Sequence, residues 1–366
     1  MPRIDIDALE DEWEDDGGPR SRRSRRLSPA ARSRIEQLDV ARVVGVDRGR
    51  ITIDVAGRTT EATLAGTMRG TKAVVGDLVR VRDEAGVGPP RIVEVLERTT
   101  ALTRTADDEV AEERIVVANA DQVVVVLAAD YLEMGTRFLD RVLVAASVGG
   151  LEALACVNRR DLLPDEGPIE EVAARYERIG VPVRATCALT GDGVEELEEL
   201  LVGRWSAFAG HSGVGKSSLF NRIVPGAAQQ VAALGPRGGR HTTVAAWALR
   251  AEHLDAWLVD TPGVRSFGLG TLGPDELAGH FPELAGLACQ IPGCTHRVEP
   301  GCRLPEADIH PERLASFLRL RASLAGGTTA SGGPDAGTDR GAPGTAGDPA
   351  PPHQPGDGRG PGAVDA

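Results

Sequence analysis

Gly210-His211-Ser212-Gly213-Val214-Gly215-Lys216-Ser217 reads G-x-x-x-x-G-K-S. No other stretch constrains the fold as much, because the motif works only where a strand ends in a glycine-rich turn that opens a helix. An apolar run, Trp205 to Ala209, leads in, and a predicted helix, Ser218 to Val224, leads out. The glycines let backbone N–H groups converge on a phosphate chain, and the helix N-terminus adds its positive end. Lys216 is suited to reach the β- and γ-phosphates, and the Ser217 hydroxyl to ligate Mg²⁺. Ser218 completes the candidate phosphate-binding run. Composition argues against a chance glycine-rich loop. Of the 41 Lys and Arg residues, only Lys72 and Lys216 are Lys. A compact ammonium fits a tight phosphate cradle where a planar guanidinium does not.

Two further motifs fall at predicted strand ends. Asp260-Thr261-Pro262-Gly263 is D-x-x-G, in which Asp260 holds the Mg²⁺ shell and the Gly263 N–H senses a γ-phosphate. Asn158-Arg159-Arg160-Asp161 is close to N-K-x-D, the guanine-reading motif, with Arg159 in place of Lys. The Asp161 carboxylate can accept two hydrogen bonds from guanine, which adenine does not offer. Asn158 would brace the loop, and the planar Arg159 would cover the base face. Thr186-Cys187-Ala188 resembles the backbone loop that contacts the guanine oxygen, so Cys187 and Ala188 join the site. Gly239-Arg240-His241-Thr242-Thr243 stands where a switch loop belongs. Thr242 is the candidate to complete the Mg²⁺ shell with Ser217 and Asp260, and Thr243 is its alternative. His241 is the nearby side chain able to orient water near neutral pH, and it is the candidate catalytic residue. Val264 occupies the position where Ras-like enzymes place a water-orienting Gln.

The rest of the chain reads in order around this centre. Its length of 366 residues suits two or three domains. Residues 1–36 are an acidic and then Arg-rich arm, expected to be disordered. Net charge is −13, yet residues 20–34 hold seven Arg and no acid, so the arm is either a local phosphate-backbone contact or a solvated tail. Within residues 37–98, Val40–Val46, Ile51–Val55, Glu61–Leu64, Val74–Val81 and Arg91–Val95 are short β-like runs, which predict an OB-type β-barrel. It has no aromatic residue for base stacking, so a structural barrel and one that binds RNA by charge and shape both stay open. Residues 110–272 alternate strand and helix, an α/β P-loop domain with a mostly parallel sheet. Residues 274–287 and about 312–324 are predicted helical, within a C-terminal domain spanning 273–325. Residues 326–366 are a Gly/Pro-rich tail expected to be disordered.

Cys289-x4-Cys294-x-His296-x5-Cys302 places four soft ligands between tight turns. That density suits one closed, structural Zn²⁺ site. The chain shows no run near the ~20 apolar residues a membrane span needs. With an N-terminus unlike a signal peptide, a cytoplasmic location is expected, where cysteines act as thiols or metal ligands.

The motif order is unusual. Base-reading elements at 158–161 and 186–188 precede phosphate elements at 210–217 and 260–263, the reverse of Ras-like GTPases. Together with G-R-H-T-T and the Cys/His cluster, this resembles the ribosome small subunit-dependent GTPase A family, also called RsgA or YjeQ, over about residues 38–324. The resemblance implies a circularly permuted GTPase between a barrel and a zinc-binding, mainly helical domain. It implies GTP and GDP as ligands, and binding to the small ribosomal subunit late in its assembly. Hydrolysis stimulated by that subunit would then release a monomeric protein, with barrel and zinc domain gripping ribosomal RNA. Arg159, Cys187 and Val244 depart from the family pattern without removing a phosphate or metal ligand. A guanine-nucleotide sensor with incidental turnover, and a GTPase of the large subunit, are the alternatives.

Overall fold

The computed structural model describes residues 29–325, apart from 48, 69, 84–87, 106–112, 228–229, 231–245, 262–266, 270–271, 286, 288–290, 292–293, 295 and 297–298. The expectations for the arm before residue 29, for the tail, and for His241, Thr242, Gly263 and Cys289 lie outside the described residues.

The chain enters through a short helix, α1 (Pro29–Glu36), and then winds a barrel. Its strands are β1 (Asp39–Asp47), β2 (Arg50–Val55), β3 (Arg58–Leu64), β4 (Leu78–Arg82) and β5 (Arg91–Val95). They pair in the order β1-β2-β3-β5-β4, and β1 pairs again with β4 to close the ring. β3 and β5 run parallel, and the other neighbours antiparallel. With no aromatics available, Ala41, Val43, Ile51, Ile53, Val79 and Ile92 fill the interior. A hairpin follows, β6 (Ala101–Thr105) and β7 (Glu113–Ala118), which forms a separate two-stranded sheet.

The second half is α/β. Its strands are β8 (Gln122–Ala128), β9 (Glu152–Asn158), β10 (Val183–Thr186), β11 (Trp205–Ala209), β12 (Ala246–Ala251) and β13 (Ala256–Asp260). The order is β10-β9-β8-β11-β13-β12, parallel except for β12, which runs antiparallel to β13. β8 is buried at every position, as its Val-rich run requires of a strand covered on both faces. Alternate residues serve the two faces. Val123, Val125 and Leu127 pack with helices α2 (Leu132–Gly149) and α3 (Gly167–Glu177). Val124, Val126 and Ala128 pack with α4 (Val194–Glu199) and α5 (Lys216–Ile223). A last helix, α6 (Pro311–Ala325), inserts Phe317 and Leu320 into the first of these cores. No helix among the described residues is long and apolar enough to cross a membrane.

Barrel and α/β half share one sheet, because β1 also pairs with β12 at Gly45↔Trp247 and Val46↔Ala246. Gly45 permits this: a Cβ there would stand 2.1 Å from the Trp247 ring. Arg42 reinforces the junction, with its guanidinium 3.8 Å from the Trp205 ring centroid and Nη2 donating to the Asn119 carbonyl at 2.5 Å. Burial pulls Arg42 down to about 10, against the opposing pull of Asp121.

Four expectations need correction. The arm is not structureless to residue 36, since Pro29–Glu36 is helical and Ile35 is buried. Pro at the first helical position followed by two alanines favours that start. The run Val74–Val81 is strand only from Leu78, because Asp77 forms a turn whose carboxylate accepts from Val74 N at 2.8 Å and Arg98 Nε at 2.7 Å. The helix after the phosphate loop begins at Lys216 rather than Ser218. Residues 274–287 hold two 3₁₀ turns, Leu277–His280 and Pro282–Leu284, instead of a helix. Pro282 removes the N–H that a continuous helix would need.

Candidate nucleotide site and metal cluster

The parallel strands place their motifs at one edge. β11 ends at Ala209 and opens through the glycine-rich turn into α5 at Lys216. On its two sides, β13 ends at Asp260, in register with Phe208, and β8 ends beside Asn158 of β9. The carboxyl ends of parallel strands are where such sheets hold ligands.

Gly215 has φ of 96°, and an added Cβ would lie 2.2 Å from Asn158 Nδ2. The loop therefore requires glycine both for its conformation and for the approach of that amide. Lys216 Nζ donates to the carbonyls of Gly210 at 2.5 Å and His211 at 3.0 Å. Burial lowers the Lys216 pKa, and Asp260 pulls it back up. The reverse holds for Asp260, raised by burial and lowered by Lys216 and the Thr261 N–H. Asp260 Oδ1 is buried and has no hydrogen-bond partner among the described residues. A buried carboxylate oxygen left open beside an ammonium is the donor chemistry of a hard cation site. Ser212, Gly213, Ser217 and Ser218 are exposed around this cradle, while Val214 is buried beneath it. The His211 ring lies against Phe138, with centroids 4.5 Å apart.

Asn158 joins the two halves of the site. Its side chain is buried, and Nδ2 donates to the Val214 carbonyl of the phosphate loop at 2.9 Å. Its Oδ1 accepts from Ala188 N at 3.0 Å and Thr186 Oγ1 at 3.2 Å. One amide thus ties 158–161, 186–188 and 210–217 together. Arg159 takes a left-handed conformation, φ 69°, which turns the chain outward into the 3₁₀ turn carrying Asp161. Its guanidinium pairs with Asp130 at 3.6 Å. Asp161 is exposed, and Cys187 is buried with its N–H donating to the Asp192 carbonyl at 2.8 Å. Asp130 had no motif to mark it in the sequence; its only signal is its place just after the β8 run.

Cys294, His296 and Cys302 converge, with their ligand atoms all within 4.8 Å of one another. His296 Nδ1 lies 3.4 Å from Cys302 Sγ. His296 has φ of 58°, unusual for a non-glycine residue, and strain of that kind is kept where a site demands it. Thiolates and imidazole on a ~2.3 Å metal–sulfur radius fit such spacing. Among the described residues the other two cysteines, Cys156 and Cys187, lie elsewhere. Burial pushes the Cys156 thiol up to about 12, so it is inert.

A phosphate loop on the central strand, with the segments expected to read guanine on strands that come before it in the chain, is the layout of a circularly permuted P-loop GTPase. Residues 95–270 match the family model described as RsgA GTPase. A Gemmatimonas aurantiaca protein named small ribosomal subunit biogenesis GTPase RsgA is 40% identical over 264 residues, covering 70% of this chain and 85% of its own. A Bacteroides fragilis protein of the same name is 33% identical, with 69% and 84% covered. Among solved structures, YjeQ from Thermotoga maritima aligns with a TM-score of 0.64 at 30% identity, over 79% of this chain and 99% of that one. YloQ, described as a circularly permuted GTPase, shares the fold with a TM-score of 0.60 at 23% identity, over 79% and 96%. The chain belongs to the RsgA GTPase family.

Proposed function

We propose that this protein hydrolyses GTP in the maturation of the small ribosomal subunit, in the cytoplasm and as a monomer. The observation that carries the reading is Asn158, whose three hydrogen bonds seat the guanine-reading loops on the phosphate loop. In this reading Asp161 accepts from guanine and Arg159, steadied by Asp130, covers the base face. Lys216 leaves the loop carbonyls for the β- and γ-phosphates, and backbone N–H groups of 213–218 surround them. Ser217 and Asp260 would hold Mg²⁺, with Thr242 completing the shell; the open Asp260 Oδ1 supports this. Bound there, Mg²⁺ neutralises charge developing on the phosphates. Gly263 senses the γ-phosphate and His241 orients water. The closure order β1-β2-β3-β5-β4 supports an OB-type barrel, which with the C-terminal domain would grip ribosomal RNA.

Val264 leaves the attacking water without the usual glutamine, so hydrolysis by the free protein is expected to be slow. Purified small subunits should raise turnover by about 10³-fold, the lower end of the range for trans-completed GTPases. Large subunits should not, and ATP should not be hydrolysed. His241→Ala should keep GTP affinity and abolish the stimulation. Titrating GTP hydrolysis with each subunit tests this. Stimulation by large subunits alone would move the reading to the other particle, and none by either would leave a nucleotide sensor.

Cys289, Cys294, His296 and Cys302 would hold one Zn²⁺, which supplies a cross-link that a segment with so few apolar residues lacks. Cys294→Ser should lose the zinc and unfold residues beyond about 273, while GDP still binds. Elemental analysis and a melting curve followed with and without GDP measure this; protein purified without chelator and lacking stoichiometric zinc would refute it.

A further inference from the structure

A cleft of about 460 Å³ opens between α3 and the segment that leads into α6, a volume within the range of small-molecule sites. None of its lining residues belongs to the nucleotide motifs or to the Cys/His cluster. Glu171, Ala174, Arg175 and Arg178 stand at i, i+3, i+4 and i+7, one face of α3 carried just past its last residue. Glu283, Asp308 and His310 line the cleft from the C-terminal segment. Two ion pairs tie the sides together. Arg175 Nη1 bonds Glu312 of α6, and Arg178 Nη2 donates to Asp308 at 2.8 Å.

Much of this chemistry is already partnered. Glu283 accepts from Arg313 with both oxygens. Three groups remain. Arg175 Nε is buried, on a side chain only 9% exposed, and it has no hydrogen-bond partner among the described residues. A sealed N–H of this kind calls for an acceptor. His310 Nδ1 accepts from the Glu312 N–H at 3.2 Å, so Nε2 carries the ring proton and is a donor. Glu171 is exposed and forms no ion pair or hydrogen bond among the described residues. Two donors and one carboxylate are thus left in one cleft.

We propose that this cleft binds a small zwitterion of the class of a free amino acid with an apolar side chain. Its carboxylate accepts from Arg175 Nε and His310 Nε2, and its ammonium donates to Glu171. Charge selects the class. The lining holds three carboxylates against two guanidinium groups. Glu312 and Arg313, bonded to that lining, add one charge of each sign. A lone anion such as phosphate therefore meets net negative surroundings, and a lone cation leaves Arg175 Nε without an acceptor. A molecule with both charged ends meets both needs. Ala174, Ile179 and Pro282 form the apolar part of the wall, which suits an aliphatic or aromatic side chain. Bound there, the molecule joins α3 to the 308–310 stretch. The inference is independent of the nucleotide reading.

The test titrates the full chain with leucine, isoleucine, valine, methionine and phenylalanine, followed by ligand-observed NMR with and without excess GDP. At least one should bind with a Kd of about 1 mM or tighter, equally in both conditions. Its N-acetyl derivative, which lacks the ammonium, and its amide, which lacks the carboxylate, should each bind about tenfold more weakly or not at all. Glu171→Gln should weaken binding about tenfold. Arg175→Lys, which keeps a cation for Glu312 and loses the Nε donor, should do the same. A melting curve without amino acid shows that each variant is folded, and Glu171→Gln, at an exposed position, carries the test if Arg175→Lys is not. No binding of any of the five at about 10 mM would overturn the proposal. So would displacement by GDP, equal binding of the N-acetyl derivative, or an affinity unchanged in Glu171→Gln. Binding of inorganic phosphate in place of the amino acids would overturn it too, and would make the cleft an anion site.

Discussion

Asn158→Ala is expected to weaken GDP and GTP binding by about 100-fold or more. The side chain is 1% exposed, and its removal strands three polar groups: the Val214 carbonyl, the Ala188 N–H and the Thr186 hydroxyl. Each buried group left unpaired costs about 1–3 kcal/mol. Thr186 keeps a weak partner in the Cys156 thiol at 3.3 Å, so two groups carry most of the loss. About 3 kcal/mol of misalignment converts to about 100-fold in affinity. Asn158→Asp should be nearly as harmful. It preserves an acceptor for Ala188 and Thr186, but turns a carboxylate oxygen toward the Val214 carbonyl. Calorimetric titration with GDP, alongside a melting curve without nucleotide, separates binding from stability. Affinity within about threefold of the parent in both variants would mean that the two loops are aligned by their strands alone.

That amide marks the limit of what the sequence could reveal. The strand positions were legible because short apolar runs leave few alternatives, and β1, β2, β5 and β11 lie where the runs Val40–Val46, Ile51–Val55, Arg91–Val95 and Trp205–Ala209 fall. The permuted order was legible because the motifs are local. A role for Asn158 in bracing its own loop was also readable, since it begins the N-R-R-D motif. Its bond to Val214, more than fifty positions away, depends on β9, β8 and β11 lying side by side, and sheet order is a tertiary fact. The hairpin β6–β7 escaped for another reason. Its first strand, Ala101–Thr105, has only two apolar residues, and its strand character comes from pairing with β7. The helix expected over 274–287 gives way to 3₁₀ turns, because Pro282 lacks the N–H that a continuous helix needs.

Charged residues buried far from any motif were the least legible, and Arg313 is the clearest case. In the sequence it is one more polar residue on an amphipathic helix. In the fold its side chain is 2% exposed, between α2, α3 and α6. Nη1 donates to Asp140 Oδ1 at 2.7 Å, and Nε and Nη2 donate to the two Glu283 oxygens at 2.8 and 2.9 Å. Tyr176 OH donates to the same Asp140 oxygen at 2.8 Å, and the guanidinium carbon lies 4.5 Å from the Phe281 ring centroid. Burial alone would lower the Arg313 pKa, but bonds to Glu283 and Asp140 outweigh it and hold the cation fully charged. For Tyr176, burial and the Asp140 charge act together to keep the phenol protonated.

Arg313→Ala is therefore expected to destabilise the protein by about 3–5 kcal/mol, because it leaves two carboxylates buried without their cation. The exposed pair Arg178–Asp308, 2.8 Å apart at the same junction, should contribute under about 1 kcal/mol. Denaturant unfolding of Arg313→Ala and Arg178→Ala measures both. Replacing Arg313, Asp140 and Glu283 together by Met, Leu and Met should recover most of the loss, since no charge is then left behind. This triple variant separates two roles. If it is stable and still responds to small subunits, the network contributes only to folding. If it is stable and hydrolyses GTP at the basal rate alone, the buried charges orient α6 against α2 for the response to the ribosome. A loss below about 1 kcal/mol in Arg313→Ala would show that water reaches the carboxylates and that the charges are not sealed in as the geometry requires.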